Sequence, residues 1–175
     1  MEYEFTLKLK LASDITNMDE VIERLGEQGC TDALVGLGQP GYIGLDFVRD
    51  AENATSALLS AIDDVKQALP SAALVEVSPD FVGLTDVAEV VGLSRQNIRK
   101  LMLGHHQHFP APIHSGNPSI WHLAQVLAFF KERQYAFPMT VFEVSHTAMQ
   151  INIAKEQPLL DKRLGAALTR RMRLR

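Results

Sequence analysis

The chain has 175 residues, 46% of them hydrophobic, and a formal net charge of −4. This length allows one sizeable core or two small ones, and no apolar run approaches the roughly 20 residues of a membrane span, which argues against a membrane protein. Residues 1–82 carry 15 acidic and 5 basic side chains, whereas residues 83–175 carry 6 acidic and 12 basic ones, which predicts an acidic domain joined to a basic domain that faces a polyanion.

The N-terminal half has the periodicity of a small α+β domain. Hydrophobic residues alternate over residues 3–9, which predicts a half-buried strand. Apolar spacing then predicts a helix that begins at Met18 after a cap at Asp14 or Asn17, strands at 32–36 and 42–48, a helix at 51–69 and a strand at 72–77. The order βαββαβ is that of a ferredoxin-like domain.

No site is evident in this half. The glycine-rich turn at 36–41 precedes a strand, whereas a dinucleotide fingerprint requires a helix there, so the turn is interpreted as a hairpin loop. The charged residues Asp46, Arg49, Asp63 and Asp64 are expected to face solvent, with one ion pair of little worth. Because many functions use this fold, we expect either dimerisation, which we favour, or small-molecule sensing.

Two features bear on the cellular compartment. The stretch MEYEFTLKLK lacks an apolar segment behind a basic head, which predicts that it is not a signal peptide. The single Cys30 cannot form an internal disulfide, so it fits a reducing cytoplasm and is expected to be a small buried residue. A short linker at 78–80 then leads to the basic half.

Residues 82–100 (VGLTDVAEVVGLSRQNIRK) have the pattern of two short helices joined by a tight turn. Thr85 is a candidate cap of the first helix, Gly92 is suited to end it, and Ser94 is suited to cap the second, which should run from residue 95 to about residue 103. Inward-facing positions of the second helix are Ile98 and two neighbours, Leu101 and Met102.

The outward face of the second helix carries groups that bind nucleic acid. These side chains are Arg95, Gln96, Asn97, Arg99 and Lys100. Arginine can donate two hydrogen bonds to guanine, glutamine and asparagine can bind the edge of adenine, and the cations neutralise phosphates. A helix-turn-helix unit places such a helix in the major groove. The alternative is an ordinary helical hairpin with a solvated charged face.

The residues downstream favour the first interpretation, because with them the sequence resembles the MerR/AlpA-type (excisionase-like) winged helix-turn-helix family over about residues 82–135. The matching residues are Leu84 to Val87, Gly92 to Ile98, Phe109 to Pro112, Ile120, Trp121, Leu123, Val126, Phe129 and Phe130. The resemblance implies a Phe-Pro segment after the recognition helix, a hairpin wing, and a tryptophan followed by a helix that closes the core. It departs at His122, where a basic or acidic residue is more usual.

Four histidines, His105, His106, His108 and His114, crowd into ten residues. A zinc site is one interpretation, but no cysteine, aspartate or glutamate lies nearby in the sequence, so positions near DNA phosphates are favoured. The stretch 114–119 is interpreted as the wing tip, whose small hydroxyl and amide groups suit phosphate contacts.

The remaining residues predict three helices, at 121–132 with Trp121 in the core, at 139–155 and at 159–174. The last would carry an apolar stripe at Leu160, Leu164, Ala167, Leu168 and Met172. Its arginine-rich end, 170–175, could contact phosphates, acidic lipid or the acidic half of a partner subunit, or could be an exposed, frayed terminus.

We therefore expect an α+β chain with a ferredoxin-like domain (1–79), a winged helix-turn-helix domain (80–137) and C-terminal helices with a basic tail (138–175). The expected function is a cytoplasmic, homodimeric, sequence-specific transcriptional regulator of repressor type that binds double-stranded DNA. The expected DNA-binding residues are Thr85, Ser94, Arg95, Gln96, Asn97, Arg99, Lys100, His114, Ser115 and Asn117. The alternative is an interaction protein, such as an antitoxin or a phage-defence adaptor, whose N-terminal domain binds a protein. No catalytic constellation, cofactor or metal motif is predicted, so we do not expect an enzyme.

Overall fold

The computed structural model describes residues 1–13, 15 and 17–172, so the predicted cap at Asp14 and the tail residues 173–175 lie outside the described residues. The protein is mixed α and β. Its elements, in chain order, are β1 (Glu2–Lys10), α1 (Met18–Glu27), β2 (Ala33–Leu37), β3 (Tyr42–Asp50), α2 (Ala54–Ala68), β4 (Ala73–Ser78), β5 (Phe81–Val82), α3 (Leu84–Val91), α4 (Arg95–Gly104), β6 (Trp121–His122), α5 (Leu123–Glu132), α6 (Met139–Glu156) and α7 (Lys162–Arg171). Short 3-10 turns lie at Cys30–Asp32 and Gln157–Leu159.

The first four strands form one antiparallel sheet in the order β2-β3-β1-β4. Side chains alternate between the two faces of a sheet, and the predicted alternation of β1 is confirmed, since Tyr3, Phe5, Leu7 and Leu9 are all buried. They pack with residues of α1, α2 and α6 in the first of two hydrophobic cores. The intervening side chains of β1 lie on the opposite face and are exposed or half-buried.

The second core lies between α3, α4 and α5. Six of its members are fully shielded from solvent, namely Val87, Ile98, Leu123, Val126, Leu127 and Phe130. The strands β5 and β6 pair antiparallel beside this core. The prediction that the following helix begins at Trp121 is wrong, because that residue is extended in β6 and α5 begins two residues later.

The helix α6 contacts both cores. Its residues Val144 and Ala148 are buried in the first core, and Val141 and Phe142 pack against the second. One face of α6 therefore covers part of the sheet, and the first turn of the same helix completes the unit that contains α3 and α4.

The residue Arg49 corrects an expectation. Strand alternation places it on the helix-covered side of the sheet, where it is 8% exposed. Its Nε donates a hydrogen bond of 2.7 Å to Asp32, and its Nη1 donates one of 2.7 Å to Asp64. The prediction of solvent-facing groups is thus wrong for this arginine, although Asp46 and Asp63 are exposed as expected. The hydrogen bonds, that to Asp32 foremost, raise the pKa of the guanidinium.

The thiol of Cys30 lies next to this charged group and is buried, as predicted. Burial raises the pKa of Cys30 to about 11, and the negative charge of Asp64 adds to the increase, whereas the positive charge of Arg49 opposes it. The thiol is consequently protonated and unreactive at neutral pH.

Candidate nucleic-acid interface

The turn between α3 and α4 has the geometry that its residues predict. Gly92 adopts the left-handed conformation, with φ of +66°, at the end of α3. This turn allows the backbone N–H of Leu93 to donate to the carbonyl of Ala88 at 2.9 Å. Ser94 then caps α4, since its hydroxyl accepts a hydrogen bond from the backbone N–H of Asn97 at 3.2 Å. The predicted helix end and helix cap are both confirmed.

The beginning of α3 differs from the prediction, because Thr85 is not its cap. Gly83 occupies the capping position, and its backbone N–H donates to the carboxylate of Asp86 at 2.7 Å. The helix therefore starts before Thr85, which lies in the first turn with an exposed side chain.

The helix α4 presents nearly all its polar side chains to solvent. Ile98 is its one fully buried residue, and Leu101 and Met102 are half-buried beside it, as predicted. The exposed polar residues of this helix are Arg95, Gln96, Asn97, Arg99 and Lys100. Within the described residues no carboxylate forms an ion pair with the three cations. A helix of ten residues is about 15 Å long and narrow enough to enter a major groove.

A short hairpin follows α4. The backbone N–H of Ile120 donates to the carbonyl of His114 at 3.0 Å and closes it. At its tip the predicted site residues His114, Ser115 and Asn117 are all exposed. The ring of His114 lies against Gly116, and a Cβ added there would make this exposed ring move.

The segment between α4 and the hairpin is fixed to the second core by aromatic residues. The indole Nε1 of Trp121 donates to the carbonyl of Pro110 at 3.0 Å. The ring of Phe109 packs edge-on against Trp121 and against Phe129, with centroid separations of 6.2 and 5.0 Å. The prediction that Trp121 is a core residue is confirmed.

A buried polar network that the sequence did not reveal lies next to the β5–β6 strand pair. One carboxylate oxygen of Asp80 contacts Nδ1 of His122 at 2.8 Å, and the other accepts a hydrogen bond from Nδ2 of Asn152 at 2.8 Å. The backbone N–H of Leu123 donates to the carbonyl of Asp80 at 2.7 Å. The predicted linker at 78–80 is therefore not a free connection, because its last residue contacts β6, α5 and α6. The unusual His122 faces this network and not solvent.

The histidine-rich stretch after α4 has no ligand set for a metal ion. His105, His106, His108 and His114 are each exposed. Among residues 1–13, 15 and 17–172, no three histidine, cysteine, aspartate or glutamate side chains converge in a way that could hold a metal. The ring of His105 instead packs near Phe129, with centroids 5.9 Å apart.

The sheet leaves one face without a helix in the described part of the chain. We call this surface the open face, and its exposed apolar residues are Leu34, Tyr42, Val48 and Val75.

The part of the chain that the structure describes contains no helix of the length and apolarity needed to cross a lipid bilayer. Comparison of the chain with protein-family models, with curated proteins and with solved structures found no match.

Proposed function

We propose that this protein is a sequence-specific DNA-binding transcriptional regulator of repressor type that acts as a homodimer. In this proposal α4 is the recognition helix in the major groove. Arg95, Gln96, Asn97 and Arg99 contact base edges, whereas Lys100 contacts phosphate. The observation that carries the proposal is the exposure of this whole set on a short helix that follows a tight, glycine-terminated turn.

The surroundings of α4 support the same assignment. Ser94, at the N-terminus of the helix, and Thr85, in the first turn of α3, offer hydroxyls for phosphate contacts. The hairpin tip with His114, Ser115 and Asn117 supplies a second set of small polar groups, as a wing would. Acidic residues are concentrated in the first half of the chain, so DNA would repel that half and attract the basic one.

The finer fold assignment belongs to this proposal. We infer a MerR/AlpA-type winged helix-turn-helix domain for residues 80–137, supported by the α3–turn–α4 unit, the hairpin and the buried Trp121. We infer a ferredoxin-like domain for residues 1–79, supported by the strand order β2-β3-β1-β4 with crossover helices α1 and α2.

Selection of bound duplexes from a random pool tests the proposal. The full chain should enrich one motif with two related half-sites, because a two-fold dimer presents two recognition helices. A matched chain with Gln96→Ala and Asn97→Ala should keep its fold, since both side chains are exposed, and should lose enrichment at the bases they contact. Equal recovery of all sequences by the unaltered chain would contradict a sequence-specific regulator.

The open face supports a second candidate function. An antitoxin or phage-defence adaptor would use such an apolar surface, with its exposed Leu34 and Val48, to bind a protein partner. Co-purification with a co-encoded protein, lost on Val48→Glu but retained on Gln96→Ala, would favour this candidate over a self-sufficient regulator.

A further inference from the structure

The helix α7 is well formed but its apolar side is only partly covered, since Ala167 and Leu168 are half-buried and Leu164 is exposed. Asp161 caps it, with its carboxylate accepting a hydrogen bond from the backbone N–H of Leu164 at 2.7 Å. The side chain of Leu164 is nevertheless 55% exposed, and Leu160, which folds over Gly165, is 57% exposed. The predicted helix start at residue 159 is wrong, because α7 begins at Lys162 and Leu160 precedes it. Leu160, Leu164 and Met172 of the predicted stripe remain exposed.

The flanks of α7 are strongly basic. They carry Lys162, Arg163, Arg170 and Arg171, and the described residues of this helix include no carboxylate. A basic helix with a partly exposed apolar stripe is suited to a surface that is both apolar and acidic.

The open face has that character. Its apolar residues are interleaved with five carboxylates and two lysines on the same side of the sheet, which are Glu2, Glu4, Asp46, Asp50, Glu76, Lys8 and Lys10. Lys8 is already bound to Glu76 at 3.3 Å, and the N-terminal ammonium of Met1 is bound to Asp50 at 2.5 Å, which leaves more carboxylates than cations. The surface as a whole therefore has an excess of negative charge that α7 complements.

The open face also has a depression of suitable size for large apolar side chains. Gly36 of β2 stands opposite Gly44 of β3, so no side chain fills the surface between the two strands. With Tyr42, Val75 and Lys8 they line a groove of about 400 Å³. A four-stranded sheet is about 14 Å wide, which is close to the length of about 15 Å of a ten-residue helix.

The α7 helix of the same chain does not cover this surface. Leu164 of α7 is exposed, and so are Leu34 and Val48 of the open face. Both surfaces are therefore available to a second copy.

We propose that α7 of one copy lies on the open face of a second copy, and that reciprocal exchange closes a two-fold homodimer. Leu160, Leu164 and Leu168 would cover the apolar residues of the face, and the arginines would lie beside its carboxylates. Each copy donates one helix and one face, so the contact is used twice and leaves no unfilled surface for further growth. The inference deepens the homodimer proposed above by naming its interface, and its test measures self-association instead of DNA binding.

Sedimentation equilibrium of the full chain provides the first test. The unaltered chain should be a dimer, and Leu164→Glu should weaken dimerisation by about 10- to 100-fold, because the change places a charge where a leucine is buried. The matched control is Leu59→Glu, a similarly exposed leucine on α2, which should leave the dimer unchanged. A monomer at all concentrations, or a dimer indifferent to Leu164→Glu, would overturn the inference.

Directed cross-linking provides the second test and identifies the surface. Chains with only Leu164→Cys are mixed with chains with only Val48→Cys and then mildly oxidised. The inference expects a disulfide-linked pair in this mixture and none when Val48→Cys is replaced by Leu59→Cys. Equal cross-linking in the two mixtures would show that α7 does not seat on the open face and would overturn the inference.

Two other outcomes would assign the surfaces differently. A dimer that is lost on Val35→Pro in β2 but retained on Leu164→Glu would mean that sheet edges pair, and the inference would fail. A monomer that binds vesicles of anionic phosphatidylglycerol through α7 would mean that the helix recognises lipid, and the inference would also fail. Arg95→Ala should weaken DNA binding and leave the dimer unchanged. A failure of the DNA-binding proposal can therefore be distinguished from a failure of the proposed dimer interface.

Discussion

The side-chain amide of Asn152 hydrogen-bonds both backbone groups of Val77. The N–H of Val77 donates to Oδ1 at 2.9 Å, and Nδ2 donates to the Val77 carbonyl at 2.8 Å. A neighbouring strand makes the same pair of bonds in an antiparallel ladder, so this asparagine occupies the edge of β4 as a strand would. Because Nδ2 also donates to Asp80, the residue joins the sheet to the polar network next to the β5–β6 strand pair.

Replacement of Asn152 by alanine should lower the free energy of unfolding by about 2–3 kcal/mol, because it leaves buried backbone groups of Val77 and a carboxylate oxygen of Asp80 without partners. The midpoint of urea unfolding of the full chain measures this change. Gln150→Ala, on an exposed position of the same helix, is the control and should change stability by less than about 0.5 kcal/mol. A loss no greater than that of the control would show that water satisfies these groups.

Replacement of Arg49 by alanine should cost about 2–3 kcal/mol of unfolding free energy. The change leaves Asp32 and Asp64 close together without their shared cation, and the cost is below the roughly 3–5 kcal/mol of a fully buried pair because both carboxylates are partly solvated. Arg24→Ala removes an exposed pair with Glu20 at 3.9 Å and should cost at most about 0.5 kcal/mol. Similar losses for the two variants would refute the stabilising role of the buried cluster.

The thiol of Cys30 should resist alkylation in the folded protein. With a pKa of about 11, only about one thiol in a thousand is ionised at pH 8, and burial limits access as well. In the unfolded chain the thiol has its ordinary pKa of 9.0, so the folded state binds the proton more tightly. The free energy of unfolding is therefore unaffected by this thiol below pH 9 and falls as the pH rises from 9 towards 11. Labelling with iodoacetamide at pH 8, with and without urea, checks the first part; rapid labelling without urea would contradict it.

Alanine at Gly92 should destabilise the protein by about 1 kcal/mol, because this position requires a left-handed backbone that a side chain disfavours. No atom lies within 4 Å of an added Cβ there, so the cost is conformational. Gly26→Ala, inside α1 and equally unobstructed, should instead stabilise by about 0.5–1 kcal/mol. Thermal unfolding compares the two, and changes of the same sign would contradict the argument.

Arg95→Ala and Lys100→Ala should affect DNA binding differently. The loss of Arg95 should cost about 1–3 kcal/mol on the selected site and relax base preference, whereas the loss of Lys100 should weaken all sequences evenly and reduce the salt dependence. Titrations of the selected site and of random DNA at two salt concentrations measure both quantities. Equal losses on the two DNAs for Arg95→Ala would remove this residue from base contact.

Local patterns in the sequence predicted much of the structure. The alternation in β1 shows which side chains face the core, and the glycine and serine at the ends of the turn locate α3 and α4. The expected interface residues of α4 follow from the same helical period, since burial of Ile98 leaves the polar positions outside. The cap at Thr85 was misplaced because Asp86 reaches back to Gly83, a competing contact of the same range.

The contacts that join distant segments were beyond such reasoning. Asp80, His122 and Asn152 are separated by tens of residues, and no spacing rule brings them together. For Arg49, strand alternation did indicate an inward position, which could have signalled buried partners, but the identity of Asp32 and Asp64 depends on how α2 and the 3-10 turn pack.

The helix α6 has a further consequence for the proposed regulator. Val141 and Val144 lie about one turn apart on α6 and pack in different cores. The helix α6 therefore fixes the orientation of α4 relative to the sheet. In a dimer in which α7 of each copy lies on the open face of the other, the distance between the two α4 helices would then be set by that contact. The spacing of operator half-sites would accordingly change with substitutions far from any nucleotide.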